Sequence, residues 1–191
     1  MMRIEPEISS VSIVLVGSFN PPIFHPEWFA SHRLISDRER EAAEVEIIHR
    51  EIALFRMEWL SVRVEPQSFV AETQEAPFIR LADFVTKTFK EYLNHTPVHM
   101  MGINRLVHFS VGDEGVRNRL GQKLAPHEPW WEWAAALAGK SARKRGGLRS
   151  LTMVQRDLDD RNKGRLQARI EPSIKIKLAN ANRRLAGSPA G

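Results

Sequence analysis

Cysteine is missing from all 191 residues, which excludes disulfides, thiolate nucleophiles and every zinc site that relies on sulfur. A metal would need His or carboxylate ligands. Long apolar runs are missing too. The N-terminal part offers only residues 12–17, preceded by Glu5 and Glu7 and followed by Asn20, Pro21 and Pro22, which is neither a signal peptide nor a membrane span. A cytoplasmic protein without membrane contact is the expectation. There is no glycine-rich phosphate loop, because the acidic pair in Gly112-Asp113-Glu114-Gly115 would repel a phosphate. Ser18 and Ser110 lack the turn motif of a nucleophilic serine, and His95 and His99 straddle Pro97, so they cannot share a helical face as zinc-motif ligands do. No cofactor and no metal site is expected.

What the chain does carry is one strongly amphipathic stretch. Phe78, Leu81, Ala82, Val85, Phe89 and Tyr92 recur at helical spacing, with Arg80, Asp83, Lys87, Lys90 and Glu91 between them, which predicts a helix over 77–93. Pro77 suits the first turn, where an N–H has no partner, and Pro97 forces the chain out of the helical region. Strands are predicted on either side, over 54–65 and 98–111. In the first, Phe55, Met57 and Trp59 share one phase and Leu60, Val62 and Val64 another, as a bulge would produce. In the second, Gly102 marks a bulge or a close approach.

Earlier strands are expected over 11–17 and 45–52, with a short helix opened by Pro26 and a charged turn or exposed helix over 36–44. Later elements are a short helix over 114–124, a second over 129–139, and a hairpin of 148–156 with 165–171, one face buried and the other wet. Residues 179–191 have no periodicity and read as a disordered basic tail. The fold class is therefore α+β: a twisted, mostly antiparallel sheet packed by one main helix, in a single domain over 1–178. A half-boundary would fall near 112–147 if the chain were built from two halves. Arg63-Val64-Glu65-Pro66 and Arg169-Ile170-Glu171-Pro172, 106 positions apart, suggest an incomplete duplication whose second sheet lacks a covering helix. Such a sheet would need another chain, and a homodimer or complex is the expectation.

Charge is divided unevenly. Residues 1–75 hold 7 Lys or Arg against 13 Asp or Glu, a net of −6, while residues 76–191 hold 21 against 10, a net of +11. The leading functional reading is a non-enzymatic binding or assembly protein that engages another protein chain through aromatic segments and uncovered sheet surface. Phe24, Trp28 and Trp131 are its candidate contacts, against the plainer reading in which these rings cover the core. The alternative is a nucleic-acid binder whose Lys140, Arg143, Lys144, Arg145 and Arg149 neutralise phosphates while Trp131 stacks on a base. A third is a metal-assisted hydrolase built on His99 and His108, with Asp113 or Glu114 completing the shell.

Overall fold

The computed structural model describes residues 5–112, 114–126, 150–156 and 165–171. The chain divides into two compact units, Met1–Phe109 and Ser110–Gly191.

In the first unit six strands, β1 (Ile8–Gly17), β2 (Glu44–Ile48), β3 (Ala53–Arg56), β4 (Ser61–Glu65), β5 (Ser68–Thr73) and β6 (Val98–His108), form one sheet. Their order is β2-β3-β4-β5-β1-β6, and all five pairings are antiparallel. The helices are short: α1 (Pro26–Ser31), α2 (Asp37–Glu41) and α3 (Ile79–Lys87), with a 3-10 turn at Pro21–Ile23 and a π turn at Thr88–Tyr92. This is the expected α+β class.

Alternation along each strand sends every second side chain to the same face. The register lines up Ala53, Val64, Phe69 and Leu15 in one row and Phe55, Val62, Ala71 and Ile13 in the next. All eight are buried. Phe24 and Phe29 reach this face from the N-terminal connection, and Leu81, Phe84, Val85 and Phe89 reach it from α3 and the π turn. Seven of the nine phenylalanines, Phe19, Phe24, Phe29, Phe55, Phe69, Phe84 and Phe89, form one connected set of ring contacts. Their centroids lie 5.0 to 6.3 Å apart, within the range in which aromatic pairs add to simple area burial.

Several local expectations are corrected. The strand expected over 54–65 is two strands: the Met57 N–H donates to the Leu60 carbonyl at 2.7 Å and closes a tight reversal, so the change of phase comes from a turn and not from a bulge. The strand β5 was not foreseen. Gly102 sits in regular register opposite Val14, and a Cβ there would meet nothing within 4 Å. The irregularity lies instead at Val16 and Gly17, where a Cβ on Gly17 would run into the Pro97 carbonyl oxygen. The main helix also differs in detail. In α3 Phe84 is buried and Ala82 only half-buried, and the π turn that follows inserts an extra residue, with Thr88 buried and Phe89 half-buried. Thr88 completes its own bonding by donating to the Phe84 carbonyl at 2.7 Å.

In the second unit α4 (Glu114–Leu124) and the hairpin of β7 (Leu151–Arg156) with β8 (Arg165–Ile170) fall where expected. The one-sided burial expected of the hairpin is not found, since every β8 residue is exposed. A two-stranded ribbon has no second layer of its own. The echoed tetrapeptides each hold an Arg–Glu ion pair two residues apart, Arg63 with Glu65 and Arg169 with Glu171. Their strands are paired differently, however. Val64 lies opposite Ala53, whereas Ile170 lies opposite Leu151, nineteen positions back. The expected helix over 129–139, the polar connection of the hairpin and the tail over 179–191 lie outside the described residues.

Phe24 is 1% exposed and touches four other aromatic rings of the cluster. Truncating it to alanine should therefore cost about 3–5 kcal/mol of unfolding free energy. Urea denaturation followed by tryptophan fluorescence checks this, and a loss below about 1 kcal/mol would show that the cluster is not the core.

Candidate interaction edge

The aromatic layer is narrower than the sheet it covers. The two inner-face rows continue onto β6, where Met101 lies opposite Leu15 and Ile103 opposite Ile13. Leu15 and Ile13 are each 4% exposed, while Met101 is 62% and Ile103 64% exposed. Burial collapses in one strand step. On the other face of β6, Met100 and Leu106 are exposed as well. Arg105 is exposed too, but it is held: its guanidinium lies 4.3 Å from the Phe78 ring, donates to the Ser10 carbonyl at 3.0 Å and to Ser9 Oγ at 2.7 Å, and ties down the end of the strand at which Val107 and His108 are half-buried.

The backbone of β6 is equally uncovered. It pairs with β1 along one side, and among the described residues no strand pairs with the other. Sheet edges of this kind offer a row of unused N–H and C=O groups to any extended chain. The opposite edge, β2, is guarded. It has five residues, a register shift between Val45 and Ile47, and two glutamates, Glu44 and Glu46, the second paired with Arg56. By contrast β6 has eleven residues, no acidic side chain and no proline, and its register with β1 is unbroken from Met100 to His108.

The residues singled out from sequence are placed as follows. Phe24 is interior and cannot touch a partner without unfolding. Trp28 is half-buried, with His32 stacked 4.3 Å from its ring and Phe29 edge-on at 5.1 Å, so it braces α1 more than it faces outward. Trp131, Lys140, Arg143, Lys144, Arg145 and Arg149 lie outside the described residues. His99 falls in the irregular end of β6 and His108 at its far end, and among the described residues no three of His, Asp and Glu gather closely enough to hold a metal ion. No helix among the described residues is long and apolar enough to cross a membrane.

Neither of two depressions among the described residues is a developed ligand site. One of 190 Å³ lies where Asn20, Ile23 and Phe24 meet His95, Thr96 and Pro97, smaller than the usual small-molecule cavity of about 300–1,000 Å³. The other, of 440 Å³ beside Arg33, Ser36, Asp37 and Glu39, is wide open to solvent, and of its two carboxylates Asp37 pairs with Arg40 at 3.7 Å and Glu39 is already committed. Glu39 accepts from the Ser36 N–H at 2.8 Å, from Trp59 Nε1 at 2.7 Å and from Arg80, whose guanidinium lies 3.8 Å over the Trp59 ring. This joins α2, the β3–β4 turn and α3. The missed signal for the edge was the run Met100-Met101-Gly102-Ile103, apolar on both faces of a strand, which in a covered sheet would read as interior. Comparison with protein-family models, with curated proteins and with solved structures finds no match.

Burial pushes the Glu39 carboxyl upward, but the bonds from Ser36, Trp59 and Arg80 together outweigh it, and the net direction is downward. A depressed carboxyl contributes stability that is present above its unfolded value of about 4.3 and is lost as pH falls through the lower folded value. The stability gap between the wild-type protein and Glu39→Gln should therefore narrow on acidification from about pH 6 to about pH 3. Denaturation curves at a series of pH values test this, and a gap independent of pH would contradict the brace.

Proposed function

We propose that the protein is a non-enzymatic binding or assembly protein that engages another protein chain by strand addition at β6. The observation that carries this reading is the step in burial from Ile13 and Leu15 to Ile103 and Met101, on an eleven-residue strand with one side unpaired among the described residues. Strand addition draws affinity from main-chain hydrogen bonds and specificity from alternate side chains. Here Met101 and Ile103 supply those on one face, and Met100 and Leu106 those on the other. Methionine suits such a surface because its unbranched, polarisable chain adapts to the opposing side chain.

The role given to aromatic contacts narrows accordingly, with Phe24 holding the sheet's cover and the edge making the contact. Binding of nucleic acid through Lys140, Arg143, Lys144, Arg145 and Arg149 is the competing proposal; salt-dependent retention on DNA or RNA that those basic residues control would favour it.

The experiment replaces Met101 and Ile103 together by lysine, at positions exposed enough to tolerate it, beside a control Val45→Lys on β2. Association with a protein partner, another copy included, should fall at least tenfold in the β6 variant and stay within twofold in the control. Equal association by all three proteins would overturn the reading.

A further inference from the structure

Resting on that reading, we propose that the chain which adds to β6 is β6 of a second copy, antiparallel across a two-fold axis with Ile103 opposite its own counterpart. A two-fold antiparallel ladder keeps opposed residues on one face, so the axis must lie midway between one residue and its own counterpart, and a register that sets a residue opposite its sequence neighbour is excluded. Ile103 is the midpoint of Val98–His108, and centring there is the register that sets every residue of the strand opposite one of the other copy, with the irregularity at Val98–Met100 confined to the two outer ends of the ladder.

The side chains fit that register. Ile103 meets Ile103 on the inner face, Met100 meets Leu106 on the outer face, and Gly102 meets Asn104. No cation faces a cation, because Arg105 falls opposite Met101, His99 opposite Val107 and His108 opposite Val98. Moving the axis to Gly102 sets His99 against Arg105 and drops two residues from each strand. Moving it to Asn104 sets Ile103 against Arg105. A head-to-tail arrangement on β2 of the next copy would meet a five-residue strand with a register shift, and would leave an edge open at each end.

Size is adequate. Eleven residues extend about 37 Å, enough for about ten new backbone hydrogen bonds. With flanking side chains on both faces, each copy would bury on the order of 500 Å², together near the lower limit for a specific interface.

Because the chain has no cysteine, single introduced cysteines carry spin labels at chosen points. Labels at Met100→Cys, Ile103→Cys and Leu106→Cys occupy exposed positions. The expected intermolecular distance is shortest at 103, and longer and equal at 100 and 106, whose backbones stand about 20 Å apart along the paired strands. Sedimentation should show a dimer that becomes a monomer when Met101 and Ile103 are both lysine. A dimer whose shortest distance falls at 100 or 106 overturns the proposed register. A wild-type monomer up to hundred-micromolar concentration, with a different protein still lost from the lysine variant, overturns the second copy and leaves strand addition standing. Association indifferent to the lysines overturns both.

Discussion

Everything in the first unit depends on one set of stacked phenylalanines that clamps a short helical layer onto four strands. Phe24 and Phe29 come from the segment after β1, Phe55 and Phe69 from the sheet, and Phe84 and Phe89 from α3 and the turn that follows it. Large rings bury much area with few degrees of freedom, so a nine-residue helix suffices where a smaller set of side chains would need a longer one. The same economy limits what is covered. The layer stops over β1, and β6 extends past it.

That limit turns a packing problem into a functional one. A sheet must do something with each edge, and this one treats its two edges in opposite ways. On β2 the chain is short, its register is shifted and glutamates point outward, the usual means of refusing another strand. On β6 it is long and regular, with apolar side chains on both faces. Among the described residues no three of His, Asp and Glu gather closely enough to hold a metal ion, and Glu39 is spent on Ser36, Trp59 and Arg80.

The fold class, the amphipathic helix and the later hairpin were legible in the sequence, because each rests on periodicity within a short window. The order of the sheet was not. Phe55, Met57 and Trp59 follow strand phase through what is in fact a reversal, since Met57, Trp59 and Leu60 are buried in the turn itself and so keep the apolar pattern of a strand. Pro66 and Gln67 reverse the chain without glycine or asparagine, which hid β5. Nor could periodicity reveal the edge. That Met101 and Ile103 are uncovered depends on where a helix from elsewhere in the chain ends, and no local pattern encodes this. The aromatic run around Phe24 was visible as a run, but its interior position follows from ring contacts with Phe69 and Phe89, forty-five and sixty-five residues away.

The most direct test follows backbone amide exchange by mass spectrometry at rising protein concentration. Protection across Val98–His108 should increase with concentration as unpaired N–H groups enter a ladder, while Glu44–Ile48 stays unchanged. Exchange across Val98–His108 that is identical at every concentration, or protection that rises equally on both edges, would contradict the account.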